Sequence, residues 1–461
     1  MQDWKTRKNK IHFTSLGCAR NLVDTEVMLG LVIKAGYEVT NIEEEAHFLV
    51  VNTCGFLESA RQEALDTLDE LNELKQEGAK LIVTGCMVQK HSELLKDEFP
   101  QIHYMLGPGD IHHILEALNS EEEGEEISSA KSFLQSGEIP RALSTPSHFA
   151  YLKIAEGCAK RCSFCIIPAI KGALKSKPYE QVLKEFDALL AQGVHEIILI
   201  AQDLGDYGKE RKEIDGLEKL LEQMLTRKGQ FWLRLLYLYP DEITDGLIAL
   251  MEKDSRLLPY LDMPIQHINS DILKAMRRKT NKEHIISVYE KLRKRLPSVV
   301  IRTSLMVGFP GETEEQFAEL LSFIHECPLD HIGVFPFSSE KGARAEKLEG
   351  HLPQALKEER YHRLMEAQQK IVRKNQQKYV GEILEVMIEG YHPDSEYLMR
   401  GRFYGQCPEI DGQVIINDGR AVSEFGKLYQ VEITDVIEYD LVGRAIGPVE
   451  LKKEGSPLQL I

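Results

Sequence analysis

The chain has 461 residues, 43% hydrophobic and 28% charged, a length that exceeds one ordinary domain and predicts two to four, each with a sizeable core. Its 56 Lys and Arg against 73 Asp and Glu give a net charge of −17, which makes it a poor non-specific binder of phosphate backbones. No apolar run approaches the roughly 18 residues of a membrane-spanning helix.

The charged start MQDWKTRKNK leads into no apolar stretch, so no secretory leader is expected and a cytoplasmic address is. Residues 9–119 read as alternating strands and helices. IHFTSLG, HFLVVNT and KLIVTG are strand candidates, with helical stretches at 21–35 and 58–75 between them. Near-continuous apolar strands of this kind are buried on both faces, which predicts an open parallel α/β sheet. Residues 120–145, with SEEEGEEISS, lack apolar periodicity and read as an acidic linker.

From 146 to 376 a strand-then-helix unit recurs. FAYLKIAE, EIILIAQ, FWLRLLYL, YLDMPIQ, VVIRTSLM and HIGVFPF begin at 149, 196, 231, 260, 299 and 331. Each gap leaves room for a crossover helix, so six parallel strands in a partial (βα)6 barrel are expected. Thr313 and Gln316 have capping-box spacing and mark one helix start. A long charged helix spans 354–378. Residues 377–447 read as short strands with turns, a small antiparallel β-barrel.

The eight cysteines are too few for a disulfide scaffold in a chain this long, and clustered cysteines more often bind metal. Cys158, Cys162 and Cys165 have C-x3-C-x2-C spacing in EGCAKRCSFC, on a loop expected at the C-terminal end of the first barrel strand. A structural zinc site wants four ligands. Three thiolates on a cubane cluster leave one iron open for chemistry. The alternative is a zinc site completed by a distant residue such as His148. Cys18, Cys54 and Cys86 each end an apolar strand, so one edge of a parallel sheet would collect them. Each alone would read as a small buried apolar residue; three in the same place read as a second ligand set. Gly17, Gly55 and Gly85 flank them and allow close backbone approach. Cys327 and Cys407 read as packing residues.

The cysteine loop resembles the cluster motif of radical S-adenosylmethionine enzymes. With SLGCARNLVDTE, VNTCGF and GCMVQK, the whole chain resembles the methylthiotransferases: an N-terminal methylthiotransferase domain, a radical barrel and a C-terminal TRAM barrel. The resemblance implies a [4Fe–4S] cluster on Cys158, Cys162 and Cys165, whose open iron chelates S-adenosylmethionine and reduces it to a 5′-deoxyadenosyl radical. It implies a second [4Fe–4S] cluster on Cys18, Cys54 and Cys86 that carries or supplies sulfur, a second S-adenosylmethionine as methyl donor, and an electron donor such as flavodoxin or ferredoxin. No catalytic residue is expected beyond the clusters.

Two substrate branches are known in this family: adenosine next to the tRNA anticodon, and an aspartate β-carbon in the small-subunit ribosomal protein numbered twelve. AQDLGDYG and YLDMPIQHINSDILKAMRR resemble the ribosomal-protein branch. Charge agrees: residues 379–446 hold thirteen acidic and five basic residues, a surface that repels RNA and attracts a basic ribosomal protein. The rival of another class is a non-catalytic iron–sulfur or zinc protein that senses redox state or binds a partner. Lys171 and Lys177 depart from the family pattern, which has arginine at both; lysine keeps the charge and loses the bidentate fork.

Cofactor contacts are expected from residues that follow the barrel strands. Phe164, between two ligands, would pack on the cluster or adenine. Gln202 and Asp203 follow the second strand, Gln266 and His267 the fourth. Gly308, after the fifth, would let backbone approach the adenine. Arg278 is a candidate for the cofactor carboxylate, with an exposed helical position as the alternative.

Overall fold

The computed structural model describes residues 9–129, 132–134 and 139–449. Residues 130–131 and 135–138 of the expected linker, and the first eight residues, lie outside them. Among the described residues no helix is long and apolar enough to cross a membrane.

The first layer is a six-stranded parallel sheet in the order β2-β1-β3-β4-β5-β6. Its strands are β1 (Lys10–Ser15), β2 (Glu38–Val39), β3 (Phe48–Thr53), β4 (Lys80–Gly85), β5 (Ile102–Leu106) and β6 (Gly124–Glu126). Helices α1 (Ala19–Lys34), α2 (Glu58–Leu74), α3 (Cys86–Glu98) and α4 (Ile114–Asn119) connect and cover them. Every residue of β3 is buried, as expected for the centre of a parallel sheet. The acidic segment is not simply a linker. Gly124–Glu126 adds to the edge of β5 in parallel register, and Phe133 and Leu134 bury in the core beneath α1. The reason is that β5 would otherwise expose an unpaired row of N–H and C=O groups, and an acidic outer strand is a soluble way to pair it.

The second sheet holds all six expected strands, parallel throughout, in the order β14-β13-β12-β11-β10-β7. They are β7 (Phe149–Lys153), β10 (Glu196–Ile200), β11 (Trp232–Leu235), β12 (Leu257–Asp262), β13 (Val300–Val307) and β14 (His331–Pro336). A short pair, β8 (Ala155–Glu156) and β9 (Lys175–Ser176), closes the base of the cysteine loop, with α5 (Ile167–Lys171) between. Helices α6 (Tyr179–Ala191), α7 (Gly216–Leu225), α8 (Asp245–Lys253), α9 (Ser270–Ala275), α10 (Lys282–Arg295) and α11 (Glu314–Glu326) pack outside, and α12 (Gln354–Gln376) follows β14. The sheet stays open, a half-barrel whose strands all point their C-terminal ends one way. The Thr313–Gln316 capping box at α11 is present in both directions.

The last module is a closed barrel, β15-β16-β17-β19-β18, of β15 (Ile383–His392), β16 (Ser395–Phe403), β17 (Val414–Asp418), β18 (Lys427–Ile437) and β19 (Asp440–Pro448). It was expected to be antiparallel, and one contact, β17 with β19, is parallel. Five strands in a ring cannot alternate direction all the way round, so closure forces one parallel pair.

Buried charge joins the modules. Asp24 on α1 meets Lys153 on β7 and Lys171 on α5, and Glu156 completes the network at 2.8 Å from Lys171. Glu196 on β10 takes Arg234 at 2.5 Å and Arg402 of the β-barrel at 2.8 Å. Lys171 thus ties the first sheet to the half-barrel, and Lys177 pairs with Glu185.

Candidate active site

Parallel register assembles the first trio. Ser15, Asn52 and Thr84 form one row across β1, β3 and β4, so the chain leaves all three strands at the same edge. Cys18, Cys54 and Cys86 come three, two and two residues later. Gly17 stands at φ +90° and a Cβ there would come 2.7 Å from the Cys54 Cβ, so only glycine lets these two loops meet. Asn21 then knits the edge. Its Nδ2 donates to the Leu16 and Thr53 carbonyls, each at 3.1 Å, and its Oδ1 lies 3.7 Å from Cys86 Sγ.

The second trio sits on the loop after β8. Backbone N–H groups wrap it: Lys160 N–H donates to Cys158 Sγ and Ile167 N–H to Cys165 Sγ, both at 3.4 Å. The Tyr239 hydroxyl and Arg278 Nη1 each lie 3.8 Å from Cys162 Sγ. Lys160, between the first two cysteines, reaches into a cage of carboxylates: Glu242 at 2.5 Å, Asp203 at 3.2 Å, Asp206 at 3.4 Å and Asp241 at 3.6 Å. Despite that ammonium, burial and the neighbouring Asp206 and Glu242 push the Asp203 carboxyl up to about 7.

The trios are neighbours. Cys86 packs on Ile166, the residue after Cys165, and on Ile170. Arg20 lies between them. Its Nη1 donates to the Ala201 carbonyl at the end of β10 at 2.8 Å, and its charge bears on Cys18, Cys86 and Cys165. Burial pushes Cys158 up to about 11 and Cys86 and Cys165 to about 12, whereas at Cys18 the Arg20 charge and backbone N–H groups outweigh burial and lower it. Metal loading at these thiols must therefore displace protons.

The donor sets fit iron–sulfur clusters better than a single ion. A tetrahedral zinc with 2.3 Å bonds holds its sulfurs about 3.8 Å apart. Neither trio has all its sulfurs within 4.8 Å of one another. A cubane, in which each thiolate takes a different iron, suits the wider spacing. The His148 zinc alternative fails on position: His148 precedes β7, at the strand end opposite the cysteine loop, and its Nε2 pairs with Glu389 of the β-barrel at 3.0 Å.

The other expected contacts divide. Arg278 is buried, not on an exposed helical face: it stacks on Tyr239 and also donates to the Pro264 carbonyl, so it serves the thiol loop. Both amide atoms of Gln202 are buried with no protein partner, as a ligand contact requires. Gln266 holds φ +72° and offers a half-buried side chain. Asp203 anchors Lys160 and caps Gly205 N–H at 3.1 Å. His267 is fully buried; its Nδ1 accepts from Asn269 N–H at 2.9 Å, and its Nε2, 3.7 Å from Glu312, has no hydrogen-bond partner among the described residues. Gly308 approaches Lys357 closely: a Cβ there would come 2.4 Å from its Cγ. Phe164 packs against the cluster of Ile272, Met276, Phe309 and Phe337. Cys327 and Cys407 are buried packing residues, as expected. Sequence reasoning missed Arg20, Lys160, Tyr237 and Tyr239. The first two lie within two residues of candidate ligands; the tyrosines alternate along YLYP after β11, a period-2 signal.

A thiol trio on the loop after the first strand of a parallel half-barrel, beside a second trio on an α/β sheet edge, defines a radical S-adenosylmethionine enzyme of the methylthiotransferase type. Family profiles match accordingly: uncharacterized protein family UPF0004 at residues 10–107, the radical SAM superfamily at 152–324 and the TRAM domain at 380–446. The chain belongs to the ribosomal protein uS12 methylthiotransferase family. It is 62% identical over 440 residues to the enzyme of that name from Protochlamydia amoebophila, covering 95% of this chain and 93% of that one. It is 43% identical over 445 residues to that from Geobacter sulfurreducens, covering 95% and 99%. The fold is shared with the radical S-adenosylmethionine methyltransferase TsrM from Kitasatospora setae, solved with cobalamin and a [4Fe–4S] cluster, at TM-score 0.53 and 16% identity over 71% of this chain and 75% of that one. Members of this family use S-adenosylmethionine and [4Fe–4S] clusters.

Proposed function

We propose that the protein replaces a hydrogen on the β-carbon of an aspartate in ribosomal protein uS12 with a methylthio group. The convergence of two thiol trios at the mouth of the half-barrel carries this reading, together with likeness along 95% of the chain to uS12 methylthiotransferases. Cys158, Cys162 and Cys165 would hold one [4Fe–4S] cluster, and Cys18, Cys54 and Cys86 the other. When bound, the first supplies reductive cleavage of S-adenosylmethionine and the second the sulfur.

The chain's own residues do the positioning. Backbone N–H groups of Lys160 and Ile167 stabilise thiolate sulfur. The Lys160 cage fixes the loop between two ligands, and Arg278 places a positive charge beside Cys162. Gln202 and Gln266 stand ready for the cofactor. The acidic β-barrel supports a basic protein substrate over RNA. A low-potential donor such as flavodoxin or ferredoxin would deliver electrons, and a ribosomal substrate would place the reaction in the cytoplasm.

The test is anaerobic reconstitution, incubation with purified uS12 or with tRNA, and mass spectrometry of both. A methylthio mass gain on uS12 alone is expected. A gain on tRNA alone overturns the substrate assignment.

A further inference from the structure

Arginines packed at the module boundaries, buried or half-buried, have acidic partners. Arg141 pairs with Glu26 and Glu185, Arg234 with Glu196, and Arg402 with Glu196 and Glu389. Arg20 is the exception. It crosses from α1 to the half-barrel, yet among the described residues no carboxylate pairs with it. A guanidinium has five N–H donors; one goes to the Ala201 carbonyl and one side of the group faces the Cys18 sulfur, which leaves others to spare.

The group is also held flat. Tyr237 places its ring 4.7 Å from the guanidinium carbon, and Tyr237 does so from φ +63°, a conformation costly for a bulky residue. Such strain persists where the surroundings impose it and clusters at functional sites. Next to the Ala201 carbonyl, the Gln202 amide is buried with neither polar atom satisfied. A cation with N–H groups to spare, clamped on one edge and one face, thus stands beside both thiol trios and next to the strand end that carries an unsatisfied amide.

We propose that Arg20 is the substrate-recognition residue for the target carboxylate. Its free N–H groups take the aspartate side chain bidentately, the geometry guanidinium favours, and so hold the adjacent β-carbon between the trios. Tyr237 is the positioning residue that sets the plane of the fork. This assignment rests on the aspartate substrate proposed above.

A double-mutant cycle tests it. Anaerobically reconstituted wild type and Arg20→Gln are titrated with uS12 and with uS12 carrying Asn at the modified aspartate, with Arg20→Lys as a second variant. Iron and sulfide are counted in each. In wild type the Asp→Asn change should weaken binding about tenfold or more, the scale of a charge-assisted hydrogen bond. In Arg20→Gln, with iron content preserved, it should have no further effect, and Arg20→Lys should recover part of the discrimination. Additive effects of the two changes overturn the assignment. So does loss of iron in both Arg20 variants, which would make the residue a support of the clusters. If wild type neither binds nor modifies uS12, the substrate reading itself fails; if it does both and the cycle is additive, only the role of Arg20 fails.

Discussion

The Arg278 guanidinium carbon lies 3.9 Å from the centroid of the Tyr239 ring, and the same side chain comes within 3.8 Å of Cys162 Sγ. A stacked cation is thereby fixed beside a thiolate that must carry negative charge. Arg278→Met should cut S-adenosylmethionine cleavage tenfold or more while the thermal midpoint falls only modestly. Arg278→Lys should lie between, because it keeps the charge and loses the planar stack. Counting 5′-deoxyadenosine per enzyme over time checks both.

The two trios should separate by function. Cys162→Ala is expected to abolish cleavage of S-adenosylmethionine. Cys54→Ala should retain most cleavage yet fail to add the methylthio group, with about half the wild-type iron, as loss of one of two equal clusters requires. Completed modification by Cys54→Ala would defeat the second-cluster assignment.

Lys160 compensates several carboxylates at once. Lys160→Met leaves Asp203, Asp206 and Glu242 facing one another with Lys209 as the remaining cation beside them. Removing one partner from such a buried set costs about 3–5 kcal/mol. Denaturant unfolding should show that loss, and iron reconstitution should fall with it. Asp203→Asn added to Lys160→Met should restore part of both.

Glu196 gives a pH dependence. Burial opposes its ionisation, but Arg234 and Arg402 overcome that and hold its carboxyl at about 2, below the ordinary 4.5. A depressed carboxyl stabilises the fold fully above about pH 4.5 and loses that contribution as pH falls towards 2. Glu196→Gln should therefore lose on the order of 3 kcal/mol at pH 7 and progressively less below pH 4.5. Thermal melts of both proteins from pH 7 to pH 3 check the convergence.

Much of the fold was legible because it is written in local periodicity. The six half-barrel strands, the three cysteine-bearing strands and the Thr313 cap all follow from apolar runs and spacing within short windows. The acidic segment misled, because Gly124–Glu126 has no apolar pattern of its own and becomes a strand only through the free edge of β5. At His267 and Gly308 the sequence shows only that each follows a strand end, the place where ligands bind; that Glu312 and Lys357 pack beside them is decided by distant sequence.

The sequence alone determined which chemistry is possible: the thiols, their spacing and the strands that end beside them are local properties of the chain. Only the tertiary structure decided that Arg20 stands between the trios without an acid, that Lys160 is caged and that Lys171 serves a domain boundary. Charge pairing depends on which distant side chains share a low-dielectric space, and no window of sequence contains that information.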